Sequence, residues 1–228
     1  MQPFERFIRE TFDEYKRKHP SQPLITLPVY DQSGAVCANL RPITADFRRS
    51  LPGCEALLAR WRNENPTMSP RPFTATAQGT ERWLEQQVID QPGRILFLLL
   101  DADNRAVGHL GFASFNYQNH SCEVDAVLRG EADARPGLMA FAMNSLIGWG
   151  LNHLGLRGIS LRVLSNNTHA IRFYERLCFV AGETFPIDSA PDAEAAGAPT
   201  YTRMRLDIPR WREQTMRQAP ICCRSDQP

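Results

Sequence analysis

The chain has 228 residues, enough for one enlarged domain or two small ones, and a chain of this length removes roughly 70% of its unfolded surface from water. Its 43% hydrophobic and 22% charged residues are ordinary for a globular protein, and 26 Lys+Arg against 25 Asp+Glu leave a net charge of +1, which gives no electrostatic case for nucleic acid or a membrane surface as partner. No segment reaches the ~20 apolar residues of a membrane span, and the N-terminal stretch lacks the apolar run of a signal peptide, so the expected compartment is the cytoplasm.

Residues 3 to 18 place Phe4, Phe7, Ile8, Phe12 and Tyr15 on one helical face. Such a helix needs a surface, either the chain's own domain or a partner such as a second copy in a homodimer. Pro20, Pro23 and Pro28 then break the pattern, so residues 1–35 read as an N-terminal helix with a linker. A domain over residues 36–208 follows. Val36 to Leu40 reads as its first strand. Thr44 or Asp46 can cap a helix that runs towards Trp61 with a break at Pro52-Gly53. Thr80, Trp83, Leu84 and Val88 share a face of a second helix, stopped by Asp90-Gln91-Pro92-Gly93.

Three strands with short turns come next, as an antiparallel meander: the apolar run Arg94 to Leu100, Ala106 to Phe115, and Ser121 to Leu128. Two glycines in the second of these point to a bulge or close packing. Leu138, Phe141, Ala142, Leu146 and Trp149 then mark a long helix ended by Gly155. Gly158 to Leu164 is a buried strand, and Asn167 caps a short helix with Ala170, Phe173, Tyr174 and Leu177 on one face. Phe179-Val180 begins another strand, a loop rich in Ala, Pro and Asp fills 187–199, and Tyr201 to Leu206 alternates as a last strand. Residues 209–228 read as a polar, fraying tail with Trp211 as its one anchor. Four of the six cysteines (Cys37, Cys54, Cys122 and Cys178) lie in apolar stretches and read as free thiols. Cys222-Cys223 has no third ligand nearby, so no metal is expected.

Two stretches carry chemistry. One is Asn167-Thr168-His169-Ala170, followed by Tyr174 and then Cys178-Phe179. The other is Arg135-Pro136-Gly137-Leu138-Met139-Ala140, between strand and long helix. With the element order they resemble the GNAT superfamily of acyl-CoA N-acyltransferases, most strongly from Arg94 to Val180, and in particular its branches acting on ribosomal proteins and on nucleotide-linked amino sugars. The resemblance implies an α/β (α+β) GNAT fold. This is a mixed, mostly antiparallel sheet of about six to seven strands, with helices on both faces and a splayed strand pair forming the CoA cleft.

It also implies roles. Asn167 contacts the pantetheine arm. Tyr174 lies near the CoA sulfur and protonates the departing thiolate, a task that suits a phenol of pKa about 10. Gly137 holds the first glycine position of the pyrophosphate loop, with Leu138 and Met139 after it. Helix-start N–H groups favour an anion there. Met139 stands where the family has a small residue. Ala134 takes the Gln/Arg position, with Arg135 one place along. Cys178 replaces a glycine, which strains the turn if that position has positive φ. The arm pairs with backbone at Val127 and Leu128, in a gap opened as the two strands part beyond Leu128. Glu123 falls where relatives acting on protein N-termini carry a proton-relaying Glu. Asp125 lies two residues on and on the same face, so either can be the base, the two can raise one another's pKa, or both simply pair with arginines. His109 and His120 can also take a proton, although a lone strand histidine is first of all a satisfied polar residue. Trp61-Arg62-Asn63-Glu64 looks like an acceptor-side element, with Arg62 able to hold a phosphate or carboxylate bidentately and Asn63 beside it.

No Ser or Cys nucleophile with a neighbouring base is visible, which favours direct attack by the amine over an acyl-enzyme. The expected activity is transfer of an acetyl (acyl) group from acetyl-CoA, used as co-substrate, to a primary amine of a small molecule such as an amino sugar. The alternatives are a protein N-terminal amine as acceptor, a non-catalytic CoA-binding module, and a structural dimerisation protein.

Overall fold

The structure is a computed structural model, and it describes residues 1–17, 22–69, 73–187 and 199–218. Most of the Ala-Pro-Asp loop and the Cys222-Cys223 pair lie outside the described residues. Eight strands form one sheet. They are β1 (Leu27–Tyr30), β2 (Val36–Pro42), β3 (Ile95–Leu100), β4 (Ala106–Asn116), β5 (Ser121–Arg129), β6 (Gly158–Leu164), β7 (Phe179–Pro186) and β8 (Thr200–Leu206), in the spatial order β1-β2-β3-β4-β5-β6-β8-β7. Every neighbouring pair is antiparallel except β5 with β6. The strand beyond the six or seven expected is β1, whose Pro28 reads in sequence as a break. At the border of a sheet a proline is tolerated, because its missing N–H spoils no interior ladder.

The helices are α1 (Pro3–Lys16), α2 (Phe47–Ser50), α3 (Cys54–Glu64), α4 (Ala77–Trp83), α5 (Leu138–Asn152), α6 (Thr168–Arg176) and α7 (Ile208–Gln218). The break at Pro52-Gly53 separates α2 from α3. α4 starts three residues before the expected Thr80, because the Thr76 hydroxyl accepts from the Gly79 N–H at 3.0 Å and caps it. It runs on through a π-helical turn, Leu84–Ile89.

β3 shows why its sequence is apolar without alternation. Ile95, Phe97 and Leu99 face one core with α1 and α5, while Leu96, Leu98 and Leu100 face a second core with α3 and the π-helical turn. α1 docks on the chain's own domain. Ile8 and Phe12 are fully buried, and the rings of Phe12 and Tyr15 lie 6.1 and 5.4 Å from that of Trp149. Phe7 falls off this face and stays 40% exposed. The last residue of the helix, Lys16, is buried, and its ammonium donates to the carbonyls of Val88, Ile89, Gln91 and Arg94 at 2.7–3.2 Å. Neither α1 nor β1 is separated from the domain by any seam in the core.

The expected fraying tail begins instead as α7. Trp211 is buried and its Nε1–H donates to Asn144 of α5 at 2.9 Å. Gln214 donates to the Arg176 carbonyl at 3.2 Å and accepts from the Cys178 thiol at 3.0 Å. Cys178 has φ +66°, so the glycine that the family places here is replaced in a left-handed conformation, at about 1 kcal/mol of strain. Burial of its side chain and the bond to Gln214 offset that strain. Among the described residues no helix is long and apolar enough to cross a membrane.

Candidate active site

β5 and β6 pair through Ser121–Gly158, Cys122–Ile159 and Glu123–Ser160, and then stop. The parting therefore comes before Leu128, where the sequence reading put it. β6 stays zipped to β8 from Ser160 to Leu164, so β5 is the strand that turns away. The cause is a bulge. Between the pairs His109–Leu128 and Gly111–Asp125, Ala126 and Val127 stand opposite Leu110 alone, and Ala126 has φ +50°. The edge of β5 beyond Glu123 then faces a cleft of about 1460 Å³ instead of a strand, and both Val127 and Leu128 line it.

His109 holds the bulge open. Its Nδ1 lies 2.6 Å from the Ala126 carbonyl. Burial pulls the imidazole from 6.5 down to about 4, so it is neutral, and with a carbonyl as partner the proton sits on Nδ1. The Nδ1 side of His109 is thus satisfied by the backbone of the bulge. Between pH 6.5 and 4 the unfolded chain binds a proton that the folded chain refuses, so stability falls as pH drops through that window. The loss is about 3 kcal/mol for the whole shift. Urea midpoints from pH 7 to 4 should show this slope, and His109→Asn, which keeps an N–H donor near the Nδ1 position, should flatten it.

The far end of the cleft is the turn into α5. Gly137 is left-handed (φ +82°), and the N–H groups of Gly137 and Met139 donate to no acceptor among the described residues. Together they suit an anion such as a pyrophosphate. The Met139 side chain stays out of this cradle. Its Cε would lie 2.9 Å from a Cβ added to Gly108, so the glycine in β4 makes the room that the unusual methionine needs. Leu138 is buried beneath the turn. Arg135 is exposed, pairs with Asp31 at 3.3 Å and covers the Phe141 ring. Arg129, missed in sequence, organises the loop itself by donating to the carbonyls of Glu131, Ala132 and Ala134.

On the β6 side, the Asn167 side chain caps α6 by accepting from the Ala170 N–H at 3.1 Å, and its amide N–H₂ is left facing the cleft it lines. Tyr174, in the same helix, is 8% exposed and lines the cleft. Its hydroxyl bonds to no protein group among the described residues, and burial pushes its pKa up, so it keeps its proton at neutral pH.

Each of the two carboxylates on β5 has its own arginine. Glu123, at the vertex where the strands part, receives Arg162 Nε and Nη2, both at 2.9 Å and both on Oε2, and among the described residues Oε1 has no partner. Asp125 is tied to Arg94 at 2.5 Å, and Arg94 in turn lies over Trp83 and donates to the Gln87 carbonyl. His120 stacks on Phe4 at 3.9 Å, away from the cleft.

The Trp61–Glu64 element divides. Trp61 is fully buried against Gly130, where any Cβ would come within 2.1 Å of its ring, and its Nε1–H donates to Glu131 at 2.8 Å. Asn63 does not line the cleft, which corrects its reading as a substrate contact. Its side-chain amide pairs with both backbone groups of Ala75, at 2.8 and 2.9 Å, so it holds a loop. Arg62 does line the cleft. No group of three or more His, Cys, Asp or Glu able to hold a metal occurs among the described residues.

A family model described as an acetyltransferase (GNAT) domain matches residues 39–180. No curated protein matches the sequence. Similar solved structures include a GCN5-related N-acetyltransferase from Brucella melitensis, with 16% identity, TM-score 0.65 and coverage of 90% of this chain and 91% of that one. A probable acetyltransferase (GNAT family) from Chromobacterium violaceum has 18% identity, TM-score 0.64 and coverage of 85% and 98%. Mutant forms of the spermidine/spermine N-acetyltransferase SpeG from Vibrio cholerae have 18% identity, TM-score 0.58 and coverage of 78% and 98%. The matched span runs from β2 to the start of β7 and takes in the parted strands, the anion-ready turn and the buried tyrosine, so the chain belongs to the GNAT acetyltransferase family.

Proposed function

We propose that the protein transfers an acetyl group from acetyl-CoA to the primary amine of a small molecule such as an amino sugar. The observation that carries this is the fork itself: β5 and β6 part at Glu123–Ser160, and the unpartnered Tyr174 hydroxyl lines the gap. When bound, acetyl-CoA supplies a thioester whose carbonyl carbon accepts the amine. The backbone at Val127, freed by the bulge, holds the pantetheine arm and polarises the carbonyl, while Leu128, paired with His109, lines the cleft. The Gly137 and Met139 N–H groups take the pyrophosphate, and Asn167 Nδ2–H donates to the arm. Glu123 Oε1 takes the proton that the ammonium must lose before it can attack, either directly or through water. Asp125 keeps a positioning role, because Arg94 ties it to the π-helical turn. Tyr174 gives its proton to the departing sulfur. The reaction is assigned to the cytoplasm, in keeping with four free thiols among the described residues.

The test is release of free thiol from acetyl-CoA over a panel of amino sugars, polyamines and peptides with free N-termini. Turnover on a small amine and none on peptides is the expected result. Turnover on peptides alone gives the protein N-terminal acceptor instead, and CoA binding without turnover on any amine gives a non-catalytic module.

A further inference from the structure

Six arginines line the cleft: Arg60, Arg62, Arg129, Arg135, Arg162 and Arg176. Arg62 differs from the other five in being half-buried where they are exposed. Among the described residues its guanidinium makes no hydrogen bond and no ion pair. The Phe73 ring lies 5.1 Å from the guanidinium carbon. By contrast Arg60 has Glu131 and Glu64, Arg135 has Asp31, and Arg162 has Glu123. Among the described residues no carboxylate lies within ion-pair distance of the Arg62 guanidinium.

A partly desolvated cation with no counter-charge is unfavourable unless a ligand supplies the charge. The four carboxylates that line the cleft are engaged elsewhere: Glu123 with Arg162, Asp125 with Arg94, and Glu64 and Glu131 with Arg60. Among the described residues, the Arg62 guanidinium is therefore a half-buried positive charge without a carboxylate partner. It is presented as a planar fork and held in place by the aromatic face of Phe73.

We infer that the acceptor amine carries an anionic group, a phosphate or a carboxylate, that Arg62 receives bidentately, and that the cleft selects against polyamines. The inference rests on the acetyltransferase reading above and narrows its substrate class. A polycation such as spermidine brings further positive charge to a guanidinium that has no carboxylate beside it among the described residues.

The test compares four acceptors on the CoA-loaded protein: glucosamine, glucosamine 6-phosphate, 2-amino-2-deoxyglucuronate and spermidine. Dissociation constants come from calorimetry and turnover from thiol release, measured in parallel. At least one anionic analogue should bind roughly ten- to a hundredfold more tightly than glucosamine, as expected for a charge-assisted pair. Arg62→Met should erase that difference, and Arg62→Lys should keep part of it for the phosphate, with the affinity for CoA unchanged in both. Equal affinities across the panel, a preference for spermidine, an anion preference that survives Arg62→Met, or a loss of CoA affinity in that variant would each overturn the inference. An Arg62-dependent anion preference without turnover on any amine would leave it standing and bring down the proposed function instead.

Discussion

Tyr174→Phe is expected to lower kcat by about 10²- to 10⁴-fold, the usual contribution of a positioned general acid, with the affinity for CoA unchanged. The phenol is 8% exposed, bonds to nothing in the protein among the described residues and lines the gap where β5 leaves β6. Phenylalanine keeps the ring contacts with Phe173 and Phe179 and removes only the hydroxyl group, so the fold should hold. Burial raises the pKa above the ordinary value of 10.0, so the acid stays loaded well into alkaline solution. The wild-type kcat should accordingly show no alkaline decline from this group until above pH 10, and the variant should lose that limb altogether. Thiol-release rates across pH, with CoA binding followed separately, check both points. An unchanged kcat would take the general-acid role away from Tyr174.

Lys16→Met is expected to destabilise the protein by about 3–5 kcal/mol, with a fall in Tm on the order of 10 °C. The side chains are similar in length, so the variant tests the charge and the donors more than the volume. Four carbonyls around the end of the π-helical turn converge on one ammonium: those of Val88, Ile89, Gln91 and Arg94. Burial lowers its pKa to about 8, which still leaves it protonated at neutral pH, with all three of its N–H donors available. Methionine offers none of them and leaves buried carbonyls unpaired. Thermal and urea unfolding measure the cost. A shift of less than about 1 kcal/mol, the size of a single ordinary hydrogen bond, would mean that water replaces the ammonium freely.

Neither the Lys16 contacts nor the His109 bond could be read from sequence. Each joins a polar side chain to backbone carbonyls remote in the chain, 72 to 78 residues away for Lys16, and carbonyls have no residue code. What was legible followed periodicity and caps. The runs that became β3, β4 and β6 were correct to within a residue, and Asn167 was read as the cap it is. The misreadings have physical causes. Pro28 hid β1 because a proline within a short apolar run reads as a break, and only its place at the sheet border makes it tolerable. Residues 208–218 looked like a tail because α7 is polar on most sides and docks through Trp211 and Gln214. Among the candidate site residues, Tyr174, Asn167, Gly137, Val127 and Glu123 come together around one cleft, whereas Asn63 turns to Ala75. The pairing of Glu123 with Arg162 and of Asp125 with Arg94 depends on which strands and turns meet, and that is fixed only once β5 has bent.

The core clusters reach further along the chain than the family match does. Ile8, Phe12, Leu27 and Val29 lie before residue 39 and Trp211 lies after residue 180, yet all of them belong to one continuous apolar interior with β3, β4 and α5. The stretch that the family model matches is thus shorter than the apolar interior that this polypeptide closes. A fragment trimmed to the recognisable span would keep the fork, the tyrosine and the anion-ready turn, yet expose one flank of the sheet to water.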